Sequence, residues 1–527
     1  MYSYHQFLFP FRFDYLNKEV KDRHEFYKEV QFDSRVKGRL EDLFKGLEKN
    51  GWEYHPFKIK DDTFYNEFVY FHDFVKDTLF NLESYPKKTA TSWFFEKKLK
   101  DKNVKIKIIK NDEKIFNLKL SSISLRIFET GIGILSFEME NDKYYDFQDI
   151  LDINEYFRRV YPPFVGDVFS LDEVMKKYMA KEITLDGIEY DIEEFENLKN
   201  ISHPPISSLI TRVLGDIFTQ DVGMKGKFLI QPVIDERMFV VCWYGNDYLA
   251  DTLSNKTIKC TNIKYISQKV KCKEKKIKLQ KAIDDWYRFV FVDVDSPSIA
   301  CEDMKKEILK KSTYERWRKY GTLYGISRYS FVVLTSDLET LKKNYADFIV
   351  IHIKTVYYQM IILALAIRAS ILRFSDEVTA ISDLDNESEL FSRVSNLYKN
   401  YLKFRNKLYF KEITSQEQGI ELYDKIREIM NIDRDVQDLT NELLQLDTFS
   451  QMKLEHKENT EIGKLTKVAT YLMPPTLIAG IFGMNIFDDS LAKPQWAILV
   501  IILVFGSFFG AKKIIEFINY LDKQEKK

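Results

Sequence analysis

The sequence is poor in cysteine, proline and glycine, with 4, 12 and 19 residues respectively among 527. The four thiols (Cys242, Cys260, Cys272 and Cys301) show no C-x-x-C spacing. That pattern argues against a disulfide scaffold and a cysteine zinc site, and fits a reducing compartment. So little glycine and proline disfavours long flexible linkers. Net charge is nearly absent, 79 Lys+Arg against 80 Asp+Glu giving −1, so bulk attraction to nucleic acid is not expected. H-E-x-x-H, P-loop and G-x-S-x-G motifs are missing, and the 7 histidines show no metal-ligand spacing; nothing supports an enzyme. The N-terminal stretch MYSYHQFLFPFRFDY has no basic n-region and no long apolar h-region, so no secretory signal is expected. What is present is a globular composition: 45% hydrophobic, 30% charged and 15% aromatic, with 41 Phe and 31 Tyr. It fits neither a disordered chain nor a polytopic membrane protein.

The membrane signal is confined to the C-terminus, in two apolar runs, Val468–Met484 and Trp496–Ala511. Each reaches the ~20 helical residues that span a bilayer core of ~30 Å if Lys467, Lys512 and Lys513 snorkel. A buried helical hairpin is the soluble alternative. Lys464, Lys467, Lys512, Lys513, Lys523, Lys526 and Lys527 lie outside the pair, whereas Asp488, Asp489 and Lys493 lie between its members. The positive-inside rule predicts cytoplasmic termini and an external loop, hence a multi-pass protein of the cell inner (plasma) membrane. A third apolar run, Ile349–Phe374, is broken by His352, Lys354, Arg368 and Arg373. It reads as a buried cytosolic helix.

Before the spans the chain is mixed α/β. Predicted strands are Val104–Asn111, Lys114–Leu120, Ser124–Thr130, Gly133–Glu140, Phe228–Ile234, Arg237–Tyr244, Tyr287–Val294 and Arg328–Thr335. Predicted helices are Asp172–Lys181, Ala300–Lys319 and Leu338–Asp347. Gly131 and Gly133 suit a hairpin turn, with a phosphate cradle as the functional alternative. A lysine cluster, Lys264 to Lys281, reads as a solvated helix face or a site for an anionic ligand. Arg158 and Arg159 stand among aromatics in EYFRRVYPPF, a composition suited to phosphates and bases but also common at domain joints. With Arg328 they are the candidate ligand contacts.

From Gln416 a helix is predicted without interruption to Met484, with a seam of Leu422, Ile426, Ile429, Ile432, Val436, Leu439, Leu443 and Leu446. A lone helix would leave that seam exposed, so oligomerisation is expected. The first span carries polar and small residues on a stripe through Thr466, Thr470, Met473, Thr476 and Gly480, while the second is apolar all round. Two spans cannot enclose an ion path alone; several chains around an axis can.

The stretch NTEIGKLTKVATYLMPPTLIAGIFGMNIF, Asn459–Phe487, resembles the first span of CorA-type divalent-cation channels and carries that family's signature at Gly483, Met484 and Asn485. The resemblance implies a homopentamer with an α/β cytosolic funnel domain, a long stalk helix, two C-terminal transmembrane helices and Mg²⁺ as the ion. Carried over, the domains are a cytosolic α/β body at 1–345, a helical hairpin at 346–413, a stalk at 414–464, spans at 465–486 and 495–513 around a loop at 487–494, and a basic tail at 514–527. The pore would be lined by Met473, Thr476, Gly480, Gly483, Met484 and Asn485, with a gate at Leu465, Ile462 and Asn459. Asn485 would meet the metal, because a ring of neutral amides can hold hydrated Mg²⁺ without trapping it. Leu465 and Met473 would form apolar constrictions that close by dewetting. Phe482 replaces a frequent Tyr, and Lys464 and Lys467 enter where apolar residues are usual. The long N-terminal part, with FETGIGILSFEME, RWRKYGTLYGISRYSFVVLT and KLYFKEITSQEQGIELYDKI, looks like the enlarged CorA-like proteins of type III CRISPR defence. That branch implies gating by a nucleotide second messenger, an adenylate, with no direct nucleic-acid partner. A housekeeping Mg²⁺ transporter gated by cytosolic Mg²⁺ and a domain merely tethered by the hairpin remain the alternatives.

Overall fold

A computed structural model describes residues 1–16, 39–87, 89–110, 112–159, 171–192, 206–220, 227–235, 237–254, 266–382, 384, 386–483, 498–499, 501–510 and 512–513. The chain divides into two compact units, Met1–Asp383 with Ser395–Leu443, and Leu384–Val394 with Leu444–Lys527.

The first unit is built on one large sheet. Its strands are β1 (Ser3–Tyr15), β2 (Trp52–Tyr54), β3 (Ser92–Lys97), β4 (Asn103–Ile109), β5 (Glu113–Phe128), β6 (Ile132–Asn141), β7 (Glu182–Leu185), β8 (Ile188–Asp191), β9 (Phe218–Thr219), β10 (Phe228–Pro232), β11 (Phe239–Gly245), β12 (Thr313–Tyr314), β13 (Leu323–Ile326) and β14 (Ser330–Thr335). The main order is β12-β13-β14-β11-β1-β6-β5-β4-β7-β8. β11 runs parallel to β14 and β9 to β10; the other described ladders are antiparallel.

β1 is central and buried on both faces. Side chains alternate along a strand, so Phe7, Phe9, Phe11 and Phe13 enter the main hydrophobic core. On the opposite face Arg12 and Asp14 meet the helix Val356–Ser382 through Asp376 and Arg373. Pro10, which has no N–H to give a ladder, sits where the neighbour on one side changes from β11, ending at Leu8, to β10, starting at Phe11.

Two predicted strands, Lys114–Leu120 and Ser124–Thr130, form the single strand β5, bent by a register shift between Leu120 and Ser122. The GxG between β5 and β6 is a packing device. Gly131 has φ +75°, and a Cβ on Gly133 would lie 2.4 Å from the Phe11 ring. The predicted strand Tyr287–Val294 is instead the end of the helix Ile266–Phe291. Ala282, Trp286, Phe289 and Val290 recur at helical spacing and are all buried, and a short apolar run fits either element by itself. The predicted helix Ala300–Lys319 stops at Ser312, where Thr313 and Tyr314 pair with β13 as β12. Lys273, Lys275, Lys276 and Lys278 lie on an exposed helix face.

The helices Phe348–Lys354 and Val356–Ser382 form an apolar stretch long enough to cross a membrane, yet its apolar window is 72% buried inside the protein. It packs on β1 and β6 as a core helix. Arg373, within it, is itself buried against Asp14.

The helix expected without interruption from Gln416 is two helices. Glu417–Ile429 ends at Met430, Asn431 turns left-handed at φ +55°, and Ile432–Gly483 follows as 52 continuous residues. Asn tolerates this conformation well, and Arg427 ties the break by pairing with Asp433 at 2.6 Å. The seam is not exposed either. Leu422, Ile426, Ile432, Val436, Leu439 and Leu443 are buried by their own chain, and Tyr401 Oη donates to Val436 O at 3.3 Å. This seam therefore gives no reason to oligomerise.

Candidate functional site

Two groups of residues were expected to act: a stripe on the first span and three arginines. The stripe lies on the helix Ile432–Gly483. At about 100° per residue, Asn459, Ile462, Leu465, Met473, Thr476, Gly480 and Gly483 fall on one arc of roughly 120°. Lys464 and Lys467 lie roughly 150° from its centre, so their charges leave on the opposite side. The helix is bare in a single chain, on this arc at Leu465 (70% exposed), Met473 (72%), Ile462 and Leu477, and beside it at Val468 and Leu472. Apolar surface of this extent needs lipid or another protein copy to cover it. The threonines satisfy themselves. Thr470 Oγ1 donates to Thr466 O, and Thr476 Oγ1 to Leu472 O, each at 2.8 Å. A hydroxyl tied to its own helix survives an apolar medium. Pro474 and Pro475 remove two backbone donors from the same helix without ending it. The helical segment Ile501–Gly510 is also exposed and apolar, and Phe508 meets Tyr471 with ring centroids 6.1 Å apart. Met484, Asn485 and the acidic loop lie outside the described residues.

The arginines separate. Arg158 and Arg159 end the helix Phe147–Arg158 and converge on Glu155: Arg158 pairs with it directly, and Arg159 donates from Nε at 3.0 Å and Nη2 at 2.6 Å. Burial by itself would raise the Glu155 carboxyl, but the two guanidiniums prevail and hold it low. Both arginines line a cavity of about 370 Å³ with Lys177, Tyr178, Arg237, Asp293 and Asp295. Burial pushes the Asp293 carboxyl up. Arg158 O also accepts from Met238 N at 2.6 Å, so the pair joins this helix to the edge of β11. Arg328 is not part of that lining. Its Nε donates to Ile429 O at 3.3 Å, at the end of the helix before the break.

A second cavity, of about 280 Å³, was not foreseen. Phe57, Phe64, Phe80, Phe94, Arg126 and Tyr358 are among its lining. Its one sequence signal was Arg126, a charge inside the apolar strand SLRIF. Among the described residues, no group of three or more His, Cys, Asp or Glu gathers to hold a metal ion.

Residues 330–513 match the family described as CorA-like Mg²⁺ transporter protein. The match begins at β14 and brackets both C-terminal apolar runs and the Gly-Met-Asn triplet at 483–485. Among solved structures, the chain is similar to the CorA magnesium transporter from Methanocaldococcus jannaschii, at 16% identity and a TM-score of 0.20, over 54% of this chain and 94% of that one. No curated protein matches the chain.

Proposed function

We propose that this chain assembles as a CorA-type pentameric channel for divalent cations, Mg²⁺ by first choice. The observation that carries the reading is the family match over residues 330–513, which contains Gly483, the last residue of the helix Ile432–Gly483, and Met484 and Asn485 after it in the sequence. Five copies placing that stripe on an axis would cover the apolar surface that one chain leaves bare. Asn485 would hold the hydrated ion, Asp488 and Asp489 would concentrate cations, and Leu465 and Met473 would close the path. Both spans would cross the inner membrane, with the termini in the cytoplasm.

The proposal extends to regulation. Residues 1–329 lie outside the family match, far more protein than an ion path needs, and this favours the messenger-gated branch associated with type III CRISPR defence. A ligand gates only through different affinities for two states, and ~1–3 kcal/mol of coupling is typical. The test is ion flux into proteoliposomes, with and without a panel of cyclic and linear adenylates. Asn485→Ala is expected to abolish Mg²⁺ selectivity or flux while native mass still gives five copies. Unchanged selectivity in that variant would remove the assigned role. Flux that follows Mg²⁺ but ignores every adenylate would leave a housekeeping transporter.

A further inference from the structure

Two surfaces of the first unit carry opposite charge and no cover. The first is on the helix Ile266–Phe291, whose Ala282, Trp286, Phe289 and Val290 enter the main core. At about 100° per residue Ile277 lies roughly 160° from that buried side. It is 60% exposed, and Lys273, Lys276 and Lys281 around it are exposed as well. The acids beside them are engaged elsewhere: Asp284 and Glu302 both pair with Lys305 at 2.6 Å, and Asp285 pairs with Arg288 at 3.2 Å. Among the described residues Lys273 and Lys276 make no ion pair. Lysines alone make a solvated face; this one has an apolar residue at its middle and a counterpart.

The counterpart is formed by the helices Asp62–Tyr70 and Asp73–Leu79. Asp62, Tyr65 and Val69 recur at i, i+3 and i+7, and Phe74 and Asp77 at i and i+3, so each helix turns an acid and apolar residues outward together. Tyr65 and Phe74 are each 54% exposed, and Val69, Leu82 and Tyr85 are exposed too. One exposed apolar side chain is ordinary, but five large ones between residues 65 and 85 ask for a cover. Asp73 and Glu83 are taken by Lys76 and Lys87, whereas Asp62 and Asp77 make no ion pair among the described residues.

The two surfaces cannot meet within one chain. Leu125 and Ile127 of β5 enter the main core, so Arg126 between them points to the other face of the sheet, where its Nη1 donates to Leu79 O at 2.6 Å. On that face Gln359 of the core helix holds Glu67 at 2.8 Å. The acidic helices therefore lie on the core-helix side, and the lysine helix lies on the opposite side against β13 and β14. From β14 to β5 is four strands along the sheet order, roughly 20 Å at ~4.8 Å per strand. We propose that the surfaces meet between copies of this chain: the Tyr65, Val69 and Phe74 face of one docks on the Ile277 face of the next, with Asp62 and Asp77 against Lys273 and Lys276. Apolar contact supplies the affinity, and the opposed charges fix the orientation. Two unlike surfaces on opposite faces of one body make a head-to-tail contact, which repeats around a ring. Both lie outside residues 330–513, so the N-terminal part would carry a ring contact of its own. The proposal rests on the pentameric reading only for the number of copies.

The test is disulfide cross-linking of the full-length chain in nanodiscs, with Cys260, Cys272 and Cys301 replaced and the buried Cys242 kept. Tyr65→Cys and Ile277→Cys in the same chain are expected to give a ladder of covalent oligomers under mild oxidant, and either change alone to give none. Co-expressed, the two single variants should stop at covalent dimers. Adding Lys273→Glu/Lys276→Glu to the double-cysteine chain is expected to cut the yield at least fivefold, and adding Asp62→Lys/Asp77→Lys as well to restore it; all four side chains are exposed. Cross-linking by Tyr65→Cys alone would overturn the head-to-tail contact in favour of a twofold one. No ladder from a chain that native mass shows to be a pentamer would overturn the contact and leave the ion path standing. A charge-dependent ladder from a chain whose native mass gives another number of copies would establish the contact and sink the pentamer instead.

Discussion

Replacing Arg373 by alanine tests whether the core helix is held to the sheet by a buried ionic junction. Arg373 is 1% exposed. Its Nη2 donates to Asp14 Oδ1 at 2.6 Å and its Nε to Glu377 at 3.1 Å. Nη1 donates to Gly131 O at 2.8 Å and Phe13 O at 3.2 Å. One side chain thus ties the helix Val356–Ser382 to β1 and to the β5–β6 turn. Removing it takes the 2.6 Å partner from a carboxylate that is 2% exposed. Breaking a buried pair in this way costs ~3–5 kcal/mol. For a unit of about 430 residues, unfolding entropy near 0.9 kcal/mol/K turns that into a Tm loss of roughly 3–6 °C. The assay is the thermal midpoint of the full-length chain in nanodiscs. Arg434→Ala, which breaks an exposed pair with Asp435, serves as the comparison and is expected to move it by under ~1 °C. Asp14→Asn/Arg373→Met removes both charges and is expected to recover most of the loss. A Tm within 1 °C of wild type for Arg373→Ala, or a double variant as unstable as the two single changes summed, would refute the junction.

Acid should weaken the first unit through His5. The imidazole accepts from Ser3 Oγ at 2.8 Å and donates to Asn154 Oδ1 at 2.7 Å, and burial lowers its pKa from 6.5 to about 4. The unfolded chain takes up a proton that the folded one refuses. The contribution is therefore complete above pH 6.5 and lost as pH falls towards 4, up to about 3 kcal/mol. Denaturation from pH 7 to 4.5 checks this, and His5→Gln should flatten the profile; an equally steep profile in that variant would count against it. In the helix Ile432–Gly483, Leu465→Cys should form disulfide-linked oligomers under mild oxidant once Cys242, Cys260, Cys272 and Cys301 are replaced, whereas Lys464→Cys, on the far side of the helix, should stay monomeric on denaturing gels. Equal cross-linking at both positions would remove the assigned pore face.

The C-terminal helix was the legible part. The residues from Asn459 to Gly480 were named by resemblance to a family's pore-facing positions; helical periodicity places them on one arc and Lys464 and Lys467 away from it. The buried character of Ile349–Phe374 was readable for a similar reason, since Arg368 and Arg373 within an apolar run suit a protein core that can pair them better than lipid. The hairpin glycines and the strands β4, β5, β6, β10, β11 and β14 followed from local pattern as well. Only the tertiary structure decided matters that depend on neighbours distant in sequence. Tyr287–Phe291 is helix because Trp286, Phe289 and Val290 find one shared core, although the run alone fits a strand. The seam from Leu422 to Leu443 is covered by its own chain, Tyr401 included, so what looked like an oligomer interface is an intramolecular one. The β1 strand alternates Phe11 and Phe13 with Arg12 and Asp14, but only packing decided that its polar face is buried too, against Asp376 and Arg373. The cavity at Phe57 and Arg126 draws on residues from Gln6 to Gln359, spread across strands and helices that a linear reading never sets side by side. Periodicity is a property of one element and is written in its sequence; burial, pairing and cavities are properties of what packs against it.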